Sequence, residues 1–167
     1  MVAFLGLGSN LTHPRRQIAR AVRAIASLPR VRLIAVSPNY ASAPVDCDTP
    51  QPDYVNAVAA VRTTLRPRAL LAALHAIERR QHRRRDGDSR RNAPRTLDID
   101  LLLIGRWRIR LRGLTVPHPR MHERAFVLRP LADVSPTATI PGRGLARRFR
   151  SAVRSQRISR TRTHILH

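Results

Sequence analysis

Pro94-Arg95-Thr96-Leu97-Asp98-Ile99-Asp100-Leu101-Leu102-Leu103-Ile104 sets two carboxylates one residue apart at the head of a run of Leu and Ile. The run from Leu101 to Ile104, stopped by Gly105, has the length and composition of a buried strand. Side chains of a strand alternate between faces, so Asp98 and Asp100 point one way and Ile99 the other. Two acidic groups on one face repel each other unless a cation lies between them. Magnesium suits that place, being a hard cation that takes oxygen ligands, commonly one or two carboxylates together with phosphate oxygens. Arg95, just upstream, offers a planar fork of donors matched to phosphate. The D-x-D spacing is short and common, and by itself it is equally compatible with a solvated strand cap.

Upstream of that strand, Pro67 opens a helix in which Leu70, Leu71, Leu74, Ile77 and Glu78 recur every three or four residues. Tyr54–Thr63 alternates as a strand, with Tyr54, Asn56 and Val58 on one face and Val55, Ala57 and Ala59 on the other. Val2–Leu7 and Val31–Val36 read as two earlier strands. Between them Ile18, Ala21, Val22 and Ile25 repeat at helical spacing behind Pro14, with Thr12 as the expected N-cap. Ser37 to Pro52 holds Pro38, Pro44, Pro50 and Pro52 and reads as a long surface loop, the kind that usually carries function. Downstream, a short strand around Trp107–Leu111 is expected to pair with the Asp98 strand through Gly105-Arg106. A helix interrupted by Pro130 is expected from about His122 to Ala132, and one more basic, fraying helix from Arg143. The order is β-α-β-β-α-β with additions. It predicts an α+β, ferredoxin-like antiparallel sheet with helices on one face. One domain spans 1–167, with about 145–167 as a basic, loosely attached tail.

Composition bounds the rest. At 167 residues and 43% hydrophobic, the chain is long enough for one real core and is not disordered overall. Aromatics make up only 4%, so Ala, Leu, Val and Ile must fill that core. The lone Cys47 excludes an internal disulfide framework, and no stretch has the length of a membrane span or the pattern of a signal peptide. A cytoplasmic monomer is the expectation. The formal net charge is +22, and every basic side chain counted in it is arginine. That balance attracts polyanions, but the arginines are spread along the chain, and a total lack of lysine also fits a bias toward arginine codons.

Five pieces of the chain together resemble the 6-hydroxymethyl-7,8-dihydropterin pyrophosphokinase family. They are Gly6-Leu7-Gly8-Ser9-Asn10-Leu11, Gln51-Pro52-Asp53-Tyr54-Val55-Asn56, Pro94 to Asp100, Leu114-Thr115-Val116-Pro117-His118-Pro119-Arg120-Met121, and Arg124-Ala125-Phe126-Val127-Leu128. They occur in the family's order over roughly residues 1 to 140. The resemblance implies transfer of the diphosphate of ATP to the hydroxymethyl group of a dihydropterin, leaving AMP, in folate biosynthesis. It implies two Mg2+ ions held by Asp98 and Asp100, with Arg83 and Arg95 as catalytic phosphate contacts. For ATP it implies Glu78, Arg85, Leu101, Thr115, His118 and Arg124. For the pterin it implies Ser42, Pro44, Val45, Tyr54, Asn56 and Phe126. Partners are then the two small substrates, with no obligatory nucleic acid and no membrane.

Such chemistry suits these residues. When a hydroxyl attacks phosphorus, charge builds on phosphate oxygens and on the departing nucleotide, so positioning and charge stabilisation do most of the catalysis. A flat pterin needs a stacking surface and paired hydrogen bonds, for which Tyr54, Phe126 and Asn56 are equipped. Departures from the family pattern are Asn92 where some members carry Trp, His82-Arg83-Arg84-Arg85 where Gly-Arg-x-Arg is frequent, Ser42 and Ala43 where Thr and Pro are frequent, and a longer Asp86–Arg91 segment. An RNA-binding sheet would show aromatics on its central strands, yet Val2–Leu7 holds only Phe4 and Leu101–Ile104 none. A metal-dependent phosphohydrolase would need further ligands or a water-activating base beside the acidic pair.

Overall fold

Alternation within β1 (Val2–Ser9) gives the strand two working faces: Ala3, Leu5 and Leu7 are buried on one, while Phe4, Gly6 and Gly8 belong to the other. The computed structural model describes residues 1–45, 47, 49–81 and 96–161. After β1 come α1 (Pro14–Ala26), β2 (Val31–Val36), β3 (Tyr40–Ser42), β4 (Tyr54–Thr63), α2 (Pro67–Arg80), β5 (Asp98–Ile104), β6 (Ile109–Leu111) and β7 (Leu114–Val116). The chain continues through α3 (Ala125–Val134), β8 (Thr139–Ile140), β9 (Gly144–Leu145) and β10 (Ile158–Arg160). The main sheet runs β10-β3-β4-β1-β5, with β2 also paired to β4, and every pairing in it is antiparallel. The chain is thus a mixed α/β domain on one antiparallel sheet.

Helices cover both faces, which corrects the one-sided layer expected from the element order. On one face Leu5, Ala57 and Leu101 pack with Ile18 and Ile25 of α1 and Leu70 and Leu74 of α2. On the other, Val58, Leu102 and Leu103 pack with Met121 and with Leu128 and Leu131 of α3. A strand that is apolar on both sides, such as β4, is what this two-faced burial requires. α3 tolerates Pro130, which is itself buried, and a short 3-10 turn at Met121–Glu123 precedes it.

Four local expectations are revised. The N-cap of α1 is His13, not Thr12; both residues take left-handed backbone angles, and the Thr12 hydroxyl makes no cap bond. The Ser37–Pro52 segment is not all loop, because Tyr40 and Ser42 are buried on β3. The hairpin strand β6 pairs with β7 and not with β5, since Gly113, at φ +76, supplies the tight turn between those two strands. The segment 145–161 is attached: β10 pairs with β3, Arg157 grips Asp53 through two 2.8 Å bonds, and Arg160 donates to Asp133 at 2.9 Å.

Leu5 is fully buried between the sheet and the two helices beneath it. Leu5→Ala should therefore cost about 3 kcal/mol of unfolding free energy, as a cavity in a packed core does, read from the urea midpoint at unchanged m-value.

Candidate active site

The two glycines of β1 open the floor of the site. Asp100 pairs across from Gly6 and Asp98 from Gly8, while on the other side of β1 Gly8 faces Asn56 of β4. A Cβ added at Gly8 would stand 3.3 Å from Asn56 Oδ1, a tight contact that would push the Asn56 amide back by a few tenths of an ångström. Side chains from β4 and β5 thereby converge over β1 in a cavity of about 330 Å3, lined among others by Tyr54, Asn56, Asp98, Asp100, Arg124 and Phe126.

The acidic strand is anchored on both sides of Asp98. Ser9 Oγ donates to the Thr96 carbonyl. Glu78, only 2% exposed at the end of α2, accepts the Ile99 N–H at 2.8 Å. Because β5 lies at a sheet edge, its backbone needs such partners from outside the ladder. With Ile99 and Leu97 sunk in the core, Asp98 and Asp100 must project together to the opposite face.

Near the acids stand His118 and Arg124. His118 follows the cis Val116–Pro117 bond, and its N–H donates to the Leu102 carbonyl at 2.9 Å. Its Nε2 lies 3.9 Å from Asp100 Oδ2. Burial, reinforced by Arg124, lowers the imidazole pKa to about 4 despite the attraction of Asp98, so the ring is neutral at pH 7 and the contact with Asp100 is not an ion pair. Nδ1 accepts the Arg120 N–H at 3.2 Å, which leaves the proton on Nε2. The Arg124 guanidinium sits 5.4 Å from the Phe126 ring centroid. Burial also lowers its pKa, with Asp100 opposing, but an arginine remains a cation there. Elsewhere in the cavity wall, Asn56 Nδ2 donates to Ser42 Oγ at 2.7 Å, both side chains being buried.

Of the residues the sequence points to, Asp98, Asp100, Arg124, Ser42, Val45, Tyr54, Asn56 and Phe126 come together here. Pro44 lines an adjoining hollow with Val45 and Phe126. Leu101, Glu78 and Thr115 are not among the residues that line this cavity. Leu101 alternates away from Asp100 into the core, Glu78 lies under the strand as its anchor, and Thr115 is exposed on β7 opposite Arg110. Arg83, Arg85 and Arg95, like the departures at His82 and Asn92, lie outside the described residues. Arg120, Glu123 and Gln156 also line the cavity and were not anticipated. Arg120 follows directly on the Pro-His-Pro motif, which was a signal. Gln156 had none, because it arrives only through the pairing of β10 with β3.

Against known proteins, residues 4–136 match the model of the 7,8-dihydro-6-hydroxymethylpterin-pyrophosphokinase family. The chain belongs to that family. It is 51% identical over 138 residues to the 2-amino-4-hydroxy-6-hydroxymethyldihydropteridine pyrophosphokinase of Pseudomonas aeruginosa, covering 83% of each chain. To the enzyme of the same name from Haemophilus influenzae it is 43% identical over 141 residues, covering 84% of this chain and 86% of that one. Among solved structures, a Plasmodium falciparum HPPK-DHPS chain crystallised with pteroate superposes with a TM-score of 0.67 at 14% identity, over 90% of this chain. That likeness concerns the fold, and the present chain spans 42% of the length of that one.

Two outcomes follow from the geometry. Glu78→Leu leaves the Ile99 N–H without its acceptor and should cost about 1–3 kcal/mol of stability, whereas Glu78→Gln keeps an oxygen there and should cost less, both read by denaturant unfolding. His118 has a folded pKa of about 4 against an ordinary 6.5, so the stability it permits is complete above pH 6.5 and is lost as pH falls toward 4. In metal-free protein that loss should amount to roughly 3 kcal/mol at most, and His118→Gln should flatten the stability profile in that window.

Proposed function

We propose that the protein transfers the diphosphate of ATP to the hydroxymethyl group of 6-hydroxymethyl-7,8-dihydropterin, releasing AMP, as a pyrophosphokinase of folate biosynthesis. The observation that carries this reading is the single cavity shared by a carboxylate pair, an arginine and an aromatic–amide surface, in a chain of this family. Asn56, with Ser42 holding one of its amide hydrogens, has Oδ1 and its second N–H left for the polar edge of a pterin. Tyr54, Phe126 and Val45 line the same cavity and would give the ring its apolar contact.

Asp98 and Asp100 would hold Mg2+. The donor set fits: both are hard carboxylate oxygens on one face of a strand, and Asp100 is partly open to solvent, as an ion that keeps water and phosphate ligands requires. Among the described residues no cluster of three acidic, His or Cys side chains is present, so substrate phosphate would complete the coordination. Bound there, two such ions would neutralise charge on the attacking and leaving oxygens. Arg124, which lines the same cavity, would balance the negative charge of the phosphates. Neutral His118 keeps a donor at Nε2 over Asp100 without adding a charge that would compete with the metal. We assign Arg83 and Arg95 to the transferring phosphates, and Arg85, Thr115 and the backbone at Leu101 to ATP. Glu78 acts through the strand it anchors.

The strand order β5-β1-β4-β2 around α1 and α2 supports a ferredoxin-like core, to which β3, β10 and α3 are additions. Among the described residues no helix is long and apolar enough to cross a membrane. We take the enzyme to act in the cytoplasm as a monomer.

AMP release from ATP and Mg2+ should depend on the dihydropterin, with no ADP formed. Asp98→Asn and Asp100→Asn should each lower turnover by about a hundredfold or more while leaving the circular dichroism spectrum unchanged. Full activity in either variant would remove the carboxylate pair from the mechanism.

A further inference from the structure

The match to the family ends at residue 136, yet a side chain twenty residues later, Gln156, forms part of the cavity wall. Its amide uses both ends. Oε1 accepts the Ala125 N–H at 2.8 Å, and Nε2 donates to the Glu123 carbonyl at 2.7 Å. Those two peptide groups lie on either side of Arg124, so the Gln156 amide brackets that residue as a neighbouring strand would. Arg124 is the point where the Met121–Glu123 turn ends and α3 begins. Its backbone is extended, and no side chain of the turn or helix caps the junction. The free Ala125 N–H is one of the unpaired donors at a helix start, and Gln156 is its acceptor.

Gln156 is itself held from behind. Its own N–H donates to the Val153 carbonyl at 3.0 Å, the Arg157 carbonyl accepts the Ala43 N–H, and the Arg157 guanidinium is bidentate on Asp53. Every one of these supports belongs to the segment 137–161 or to the β3–β4 side of the cavity. The Arg124 guanidinium in turn stacks on the Phe126 ring, so fixing the backbone at 124 fixes an arginine and an aromatic wall together.

We propose that Gln156 is a positioning residue for this site: its amide, clamping the peptides on both sides of Arg124, sets the direction in which Arg124 and Phe126 meet the two substrates. The role rests on the pyrophosphokinase reading for the identity of those substrates. Gln156 touches no reacting group; it acts through Arg124.

The test is a double-mutant cycle in the full chain: wild type, Gln156→Ala, Arg124→Ala and the double variant, with kcat and both KM values from pterin-dependent AMP release. In parallel, dissociation constants for Mg-ATP and for the dihydropterin are taken by calorimetry. Gln156→Ala should raise KM for ATP about tenfold with a smaller change in kcat, and it should have little further effect once Arg124 is gone. Gln156→Glu keeps the acceptor for Ala125 and should recover part of the loss. Arg157→Gln removes the exposed pair that supports Gln156 from behind; it should raise KM for ATP in the same direction but less than Gln156→Ala, with little change in Tm. Additive losses, or a Gln156→Ala variant with lower Tm and wild-type KM values, would overturn the proposal while leaving the reaction intact. A wild type that binds both ligands but releases no AMP would overturn the reaction, and the cycle would then be decided on the dissociation constants. Wild-type protein that binds neither ligand would overturn both.

Discussion

Strand β1 runs between β4 and β5 and carries glycine at the two positions where its upper face would otherwise bear side chains over the site. Pairing brings Asp98 and Asp100 to one side of that bare stretch and Asn56 to the other. Backbone hydrogen bonds set the strands less than about 5 Å apart, so acids and amide are delivered to a common space by register alone. The lower face of the same strand, with Ala3, Leu5 and Leu7, lies in the main core. Stability and site geometry therefore share one constraint: a slip of one residue in β5 would turn both carboxylates toward the main core.

Electrostatics follows from that placement. Two carboxylates on one face are costly together in a low-dielectric wall, and the surrounding cations lessen the repulsion without removing the need for a metal. His118 does not help by charge, since burial keeps it neutral. Arg124 does, and it is held in place by contact with an aromatic ring and by the clamp on its flanking peptides. Arginine suits such a half-buried place better than lysine because it stays protonated and presents a rigid fork.

The C-terminal segment shows how an addition to a sheet becomes part of a site. β10 lengthens the sheet by pairing with β3, and ion pairs from Arg157 and Arg160 tie it to Asp53 and Asp133. Exposed pairs of this kind add little stability singly. Their effect is geometric, because they hold the peptide that delivers Gln156 to the start of α3.

Much of this was legible in the residues. The alternation of β4, the helical spacing in α1 and α2, the apolar run of β5 and the shared face of Asp98 and Asp100 are local patterns, decided by periods of 2.0 and 3.6 residues that any reader of the chain can count. The motif pieces carried the family, and with it Tyr54, Asn56, His118, Arg124 and Phe126. Other features depended on pairings that no local pattern contains. Thr12 looked like a cap, but the chain turned through left-handed angles first; the Pro-rich segment hid β3, and the hairpin strand β6 chose β7. Leu101 and Glu78 went beneath the sheet for reasons of alternation and of an unpaired edge N–H. Amino-acid order by itself determined the main strands and helices and the shared face of the acidic pair. Tertiary structure alone decided that α3 covers the second face and that Gln156 reaches Arg124, because a contact between residues thirty positions apart depends on how strands pair and not on what either neighbourhood prefers.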